Sequence, residues 1–224
     1  MESLIRFFQD GGLFMYPIAI VLVIGLAITL ERFISLSSAK RRNRAAFEEL
    51  LPVLQKRDFK LALNMANDNN SDIANIFAAG IMRIPSSTRR EDIEYAMEEG
   101  LMETLPRLEK RTQYVATLAN ISTLLGLLGT IIGLIAAFSA VANADPADKA
   151  ALLSQSISVA MNTTAFGLVA AIPLLLSHVL LQTRTNEIVD SLEMAGVKFL
   201  NIITEQRKAP ASAAAPTVAT AVAK

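Results

Sequence analysis

The 224-residue chain contains no cysteine, no tryptophan and a single histidine. Without cysteine it can form no disulfide, no thiolate metal site and no thiol nucleophile. A single histidine argues against a histidine-based metal site, since such sites combine several side chains. Its 21 basic and 21 acidic residues leave no net charge, which argues against a nucleic-acid partner. Because no catalytic triad or glycine-rich phosphate loop occurs either, we predict neither a cofactor nor an enzymatic activity.

Charged residues are also absent from three long apolar runs, at residues 13–30, 112–143 and 152–182, the last of which holds the histidine. Roughly 20 apolar residues in a helix cross a bilayer core, and each run reaches about that length. A cleaved signal peptide is an alternative for the first run. However, the apolar part of a signal peptide is roughly 7–15 residues long and follows its positive charges, whereas here the basic cluster comes afterwards. The sequence therefore predicts an all-α polytopic membrane protein with three transmembrane helices and a helical cytoplasmic bundle.

The positions of lysine and arginine predict the orientation of these helices. A basic cluster at residues 40–44 follows the first run, and the loop between the second and third runs is poor in basic residues. Basic loops stay in the cytoplasm, so the N-terminus is expected outside and the C-terminus inside. The predicted parts are an N-terminal segment with helix one (1–36), a cytoplasmic helical region (37–112), helix two (113–142), an external loop (143–151), helix three (152–183), a cytoplasmic helical extension (184–207) and a disordered tail (208–224).

The cytoplasmic region before helix two has a helical pattern. Thr88 and Glu91 have the spacing of a capping box, and apolar residues at helical intervals follow them. This pattern predicts a helix that runs on into the second membrane helix, with a kink at Pro106 because proline removes a backbone hydrogen bond.

Helix three has its own start and end signals. Asp145 offers a capping carboxylate and Pro146 suits the first helical position. Apolar residues at helical spacing continue beyond Arg184, so we expect this helix to extend past the membrane to about Glu205.

Small and hydroxyl residues form a narrow stripe on each of helices two and three. The stripes are Thr123, Gly126, Thr130, Gly133 and Ala137 on helix two, and Ser156, Ala160, Thr164, Gly167 and Ala171 on helix three. Small residues let membrane helices approach closely, and for the glycines this packing role stands beside a pore-lining one. Thr130 and Thr164 both lie about 13 residues from the external loop, or about 20 Å along their helices. We predict that they share a level near mid-membrane and belong to the polar lining of an ion pathway.

Neither stripe is accompanied by an acid, because helices two and three contain no carboxylate. Ion and proton pathways through membranes usually include an ionisable group. Glu31 lies at the inner end of helix one beside Arg32, where an interfacial ion pair is the ordinary explanation. The missing acid therefore predicts a second polypeptide whose membrane helix supplies it.

Two segments resemble known signatures. Residues 126–133 (GLLGTIIG) and 163–173 (TTAFGLVAAIP) are similar to the helix-two and helix-three signatures of the MotA/TolQ/ExbB proton channel family. The Met15-Tyr16-Pro17 and Glu31-Arg32-Phe33 segments look like the flanks of that family's first helix. The resemblance covers about residues 10–205, and three spans place the chain nearer the ExbB/TolQ branch.

The resemblance implies a homopentameric ring in the bacterial inner membrane, with a periplasmic N-terminus. The ring would surround helices of a single-span ExbD/TolR-like protein whose membrane aspartate is protonated, and a TonB-like or TolA-like protein would carry the resulting work to the envelope or outer membrane. By motif match, Thr130 and Thr164 correspond to the family's pore threonines. Gly126, Gly133, Ala160 and Gly167 are expected to line the pore beside them.

Two positions depart from the family pattern. Val159 stands where ExbB and TolQ commonly carry glutamate, and Thr163 adds a hydroxyl beside Thr164. Thr163 is therefore a third candidate for the ion pathway: an extra oxygen is compatible with sodium instead of protons as the transported ion. A packing role for Thr163 is equally compatible. Val159 leaves open a second function, in which the same fold clamps partner helices as a scaffold and conducts nothing. A standalone transporter is disfavoured by the absence of inverted repeats.

Overall fold

The computed structural model describes residues 11–86, 89–142 and 144–208, with side chains described up to Thr204. This part of the chain is helical and contains no strand. Its helices are α1 (Met15–Gln55), α2 (Phe59–Asp68), α3 (Asp72–Arg83), α4 (Arg90–Glu109), α5 (Thr112–Ala142) and α6 (Lys149–Lys208). Thr88 of the predicted capping box, Asn143 of the loop and the predicted disordered tail from residue 209 lie outside the described residues.

Three helical stretches of the described chain are long and apolar enough to cross a membrane, and they lie within Met15–Gln55, Arg90–Ala142 and Lys149–Thr204. Only 17 to 28% of the residues in their most apolar windows are buried inside the chain. The large aliphatic side chains of these stretches therefore point outward. This arrangement is favourable when they contact lipid or another chain, and unfavourable when they contact water. The all-α class and the three candidate membrane helices agree with the prediction.

The chain forms two compact units. The first unit comprises the described residues up to Leu36 together with Glu109–Thr185, and the second comprises Ser37–Leu108 with the chain from Asn186 onward. The first unit therefore contains the apolar part of α1, all of α5 and most of α6. The second unit contains α2, α3 and α4 with the later parts of α1 and α6.

Helices α4 and α5 are separate, so the prediction of one continuous helix kinked at Pro106 is wrong. Pro106 lies inside α4, which continues to Glu109. The break comes at Arg111, whose φ of 65° lies in the left-handed region. That conformation is costly for a residue with a Cβ and cannot continue a right-handed helix. The backbone N–H of Tyr114 donates to the carbonyl of Arg111 at 3.1 Å, which opens α5.

Asp145 and Pro146 form a turn before α6 and not its first residues, which corrects the predicted start of helix three. The backbone N–H groups of Asp148 and Lys149 both donate to the main-chain carbonyl of Asp145, at 3.0 and 3.2 Å. Because this turn closes first, α6 begins at Lys149. It then runs past Arg184 without interruption and ends at Lys208, close to the predicted end.

Asn43 of α1 fixes the start of α3 within the second unit. Its side chain is 4% exposed, and its Oδ1 accepts hydrogen bonds from the backbone N–H groups of Asp72 (2.9 Å) and Ile73 (3.4 Å). Its Nδ2 donates to the carboxylate of Asp72 at 3.1 Å. The first N–H groups of a helix have no partner within the helix, so Asn43 satisfies donors that would otherwise be buried and unpaired.

We expect Asn43→Ala to destabilise the full-length protein by about 1–3 kcal/mol, the cost of leaving buried backbone donors unsatisfied. Thermal unfolding of the detergent-solubilised protein measures the change. The matched control is Asn64→Ala, which removes an exposed asparagine from α2 and should leave the melting temperature unchanged or slightly higher. Equal melting temperatures for both variants would contradict this role of Asn43.

Candidate functional site: a threonine pair between α5 and α6

Helices α5 and α6 pack antiparallel through their stripes of small residues. A methyl group at Gly126 would lie 3.2 Å from the Cα of Thr164 and 3.3 Å from the Cα of Gly167. Farther along α5, a methyl group at Gly133 would lie 2.8 Å from the Cβ of Ala160. The positions on α6 fall as those on α5 rise, which is the antiparallel register. The backbones approach so closely that a methyl group at Gly126 would force the facing backbone of α6 to shift.

Thr130 and Thr164 meet at the edge of this contact. Their side-chain hydroxyls are hydrogen-bonded to each other. Both hydroxyls also lie within donating distance of the Gly126 carbonyl oxygen, Thr130 at 3.1 Å and Thr164 at 2.9 Å. Each threonine is half-buried. Their equal distances from the external loop, read from the sequence, thus correspond to a shared level along the two helices.

Thr163 is placed differently from its neighbour. Its side chain is 2% exposed, and its hydroxyl lies 2.7 Å from the carbonyl oxygen of Gly11 and 3.0 Å from that of Val159. Its methyl group packs against Gly129 of α5. Thr163 therefore joins the segment before α1 to α6, while Thr164 forms the hydroxyl pair with Thr130.

Val159 packs on the same segment. Its Cγ1 would lie 3.2 Å from a methyl group on Gly12, whose φ of 74° places it in the left-handed region. A side chain at Gly12 would therefore be strained by its backbone and crowded by Val159. The position where the resemblance leads one to expect glutamate holds a half-buried apolar side chain beside Gly12.

The four small residues predicted to line a pore, namely Gly126, Gly133, Ala160 and Gly167, all lie in the contact between α5 and α6. Ala137 and Ala171 are buried as well, and the hydroxyl of Thr123 donates to its own helix at Ala119. Close packing accounts for these positions within one chain. A pore-lining role for the four residues stays a prediction.

Ser122 is a polar residue of this contact that the stripe on helix two did not include. It is fully buried, and its hydroxyl has no hydrogen-bond partner in the part of the chain that the structure describes. Its carbonyl oxygen would lie 2.8 Å from a methyl group on Gly167. The spacing of four residues between Ser122 and Gly126, which puts both on one face of α5, is the signal that could have identified it.

The Thr130–Thr164 pair lies far along the sequence from any charge. Helix α5 carries no charged residue, and α6 carries none between Lys149 and Arg184. Glu31, the one carboxylate in the part of α1 that belongs to the first unit, lies 3.3 Å from the guanidinium of Arg111. The first unit therefore offers hydroxyl groups that can donate and accept, but α5 and α6 offer no acid beside them that could carry a proton or balance a cation.

Comparison of the sequence with models of known protein families identifies a match. The model of the MotA/TolQ/ExbB proton channel family matches residues 68–194 of this chain, which is more than half of its length. That range includes α5 and the Thr130–Thr164 pair.

Individual relatives extend the match over most of the chain. The chain is 28% identical over 209 residues to the biopolymer transport protein exbB1 of Vibrio cholerae, a match that covers 92% of this chain and 90% of that protein. It is 28% identical over 167 residues to a putative biopolymer transport protein, ExbB-like 3, of Synechocystis, covering 74% and 79%. Over 93 residues it is 36% identical to the Tol-Pal system protein TolQ of Haemophilus influenzae, covering 42% and 40%.

Proposed function

We propose a function from the premise that this chain belongs to the MotA/TolQ/ExbB proton channel family, in its ExbB/TolQ branch. The chain is a multi-pass membrane protein with an energiser role. Together with a single-span ExbD/TolR-like protein, it forms a pathway for protons or sodium ions across the bacterial inner membrane. Ion flow through this pathway drives work on the envelope or outer membrane through a TonB-like or TolA-like protein. The N-terminus is periplasmic and the C-terminus cytoplasmic.

The observation that carries the proposal is the hydroxyl pair without an acid. Thr130 and Thr164 present two hydroxyls on stretches of α5 and α6 that carry no charged residue. An ionised carboxylate in a membrane is stable only if it is hydrogen-bonded or paired. Hydroxyls can donate to a carboxylate or accept from a carboxylic acid, so the pair suits both protonation states of an aspartate on a neighbouring helix. The aspartate of the single-span protein takes and releases the transported proton beside this pair.

A ring of this chain, a pentamer by analogy with the family, supplies several such pairs around the helices of the single-span protein. Each subunit provides Thr130 and Thr164 at one level, so the aspartate meets equivalent hydroxyls as it changes subunit. The proposed mechanism includes no metal or organic cofactor, since the transported ion is the only cation that it requires.

The decisive experiment is co-reconstitution of the chain with the single-span protein in liposomes that contain a pH-sensitive dye. We expect proton uptake when a membrane potential is imposed, and none from either protein alone. Changing the membrane aspartate of the single-span protein to asparagine is the matched control and should abolish uptake. Replacing potassium by sodium on the outside distinguishes the two ions, because sodium-driven transport requires sodium and leaves the dye silent. Flux that survives the asparagine control would contradict the proposal.

A scaffold without conduction is the second candidate, and the contacts of Val159 and of the small residues favour it. In this chain Val159 lies beside Gly12 and the small residues lie in the contact between α5 and α6, which are packing roles that a scaffold can use without any ion pathway. In the same liposomes a scaffold would form a stable complex with the single-span protein and yield no flux of either ion.

The buried position of Thr163 leads to a separate prediction. We expect Thr163→Val to lower the stability of the full-length protein by about 1–3 kcal/mol, because the carbonyl of Gly11 loses its donor in a buried site. Flux per folded complex should remain unchanged. Thr163→Ser keeps the hydroxyl and serves as the control. A variant of normal stability with greatly reduced flux would instead place Thr163 in the ion pathway.

A further inference from the structure

The second unit carries two apolar grooves on opposite flanks of α6. One groove, of about 320 Å³, lies between α4 and α6, and its apolar lining includes Leu101 and Val197. The other groove, of about 250 Å³, lies between α1 and α6, and its apolar lining includes Phe47 and Met194. Leu192 of α6 lines both. Helix α6 therefore separates two depressions of similar size and similar apolar character.

The rims of the two grooves have opposite charge. The charged residues that line the groove between α4 and α6 are acidic, and we call it the acidic groove. Those that line the groove between α1 and α6 are basic, and we call it the basic groove. The residues are Glu94, Glu98 and Glu193 in the acidic groove, and Lys40, Arg44 and Lys198 in the basic groove.

Large apolar side chains are exposed in both grooves. Val197 at the acidic groove is 51% exposed, and Met194 at the basic groove is 59% exposed. An apolar centre surrounded by a polar rim is the usual composition of a protein interface. Because these side chains lie in the extension of α6 beyond its apolar membrane-spanning part, lipid tails are not available to cover them.

The basic groups are only weakly engaged within the chain. Lys40 pairs with Glu187 at 2.7 Å and Arg44 with Glu48 at 2.9 Å, and all four side chains are at least half exposed. Lys198 lies 5.5 Å from the centre of the Phe47 ring. Exposed ion pairs contribute little stability, so these cations remain available to carboxylates of a facing surface.

We propose that the basic groove of one copy of this chain docks on the acidic groove of the next copy. The two grooves belong to one chain and are complementary in charge, while either groove facing its own equivalent would bring like charges together. A contact between two different patches of the same chain is head-to-tail, and it closes into a ring when the rotation between copies allows. This inference rests on the proposed function in one respect, namely that copies of this chain associate with one another. It does not depend on whether the assembly conducts ions.

The absence of native cysteine allows a direct test by cross-linking. Two differently tagged full-length chains, one with Ser191→Cys in the basic groove and one with Val197→Cys in the acidic groove, are expressed together. A short bismaleimide is then added to the membranes. We expect a cross-linked dimer that carries both tags. Either variant expressed alone should give no cross-linked dimer, since equivalent grooves do not face each other.

Charge reversal sharpens the test. Lys198→Glu in the Ser191→Cys chain should reduce the two-tag product several-fold, and Glu98→Lys in the Val197→Cys chain should restore it. Three results would overturn the proposal. They are a cross-linked dimer from either variant expressed alone, an oligomer that gives no two-tag product, and a chain that is monomeric in its membrane. Because the readout is a covalent dimer and not flux, a complex that cross-links as expected but conducts nothing would count against the proposed function alone.

Discussion

Flux through the reconstituted complex should fall by roughly 5- to 150-fold when either Thr130 or Thr164 is replaced by valine. Valine keeps the shape of threonine and removes the hydroxyl, so the carboxylate of the single-span protein loses a donor in an apolar environment. Leaving such a polar group unsatisfied costs about 1–3 kcal/mol, and this cost is added to the barrier for ion passage. Proton uptake into dye-loaded liposomes measures the effect.

Matched controls exist on the same helices. Thr117 of α5 and Thr183 of α6 are exposed, and each donates its hydroxyl to the carbonyl four residues earlier on its own helix. Thr117→Val and Thr183→Val should therefore leave flux unchanged. Serine at either position of the Thr130–Thr164 pair retains the hydroxyl and should conserve most of the flux. If the valine variants of the pair conduct as well as the unaltered chain, the pair has no part in the pathway.

The second large effect is expected at Gly167. An alanine there would place its methyl group 2.8 Å from the carbonyl oxygen of Ser122 and 3.0 Å from the Cα of Gly126. Both atoms belong to the backbone of α5, so the clash can be relieved only by moving the helices apart. Overpacking of this kind costs about 1–3 kcal/mol, and we expect a clear fall in melting temperature for Gly167→Ala in detergent.

Gly196 provides the control for this change on the same helix. A methyl group at Gly196 would lie 3.4 Å from the Cε of Met97, which is an ordinary contact with the end of a flexible side chain. Because alanine favours helix over glycine by up to about 1 kcal/mol, Gly196→Ala should keep or raise the melting temperature. If Gly167→Ala were as stable as Gly196→Ala, the close approach of α5 and α6 would not be a feature of the protein.

The membrane helices and the level of the threonine pair could be predicted because they depend on local patterns. Long runs without charge identify spans regardless of how they pack. In antiparallel helices joined by a short loop, equal distances from the loop give equal depth, and this rule placed Thr130 beside Thr164. The small-residue stripes likewise indicated which faces of α5 and α6 approach each other.

Features that depend on contacts between distant parts of the chain could not be predicted from local sequence patterns. The hydroxyl of Thr163 bonds to a carbonyl 152 residues away, and Asn43 serves a helix that begins 29 residues later. The break at Arg111 has no residue-type signal, since arginine has no preference for a positive φ. Pro106 was the more conspicuous candidate, yet a proline in the last turns of a helix removes one hydrogen bond without ending it.

The carbonyl of Gly126, which two hydroxyls share, gives the threonine pair an internal polarity. Each hydroxyl has a single proton, so while no outside acceptor is near, one threonine donates to the other and that one donates to the carbonyl. Two such arrangements exist, with opposite directions, and they interconvert when two C–O bonds rotate while every heavier atom stays in place. A charge that arrives beside the pair will favour one direction, and its departure will release the other. In the proposed pathway, the two threonines would therefore respond to each passing charge by reversing this dipole, on the timescale of hydroxyl rotation and without any helix movement.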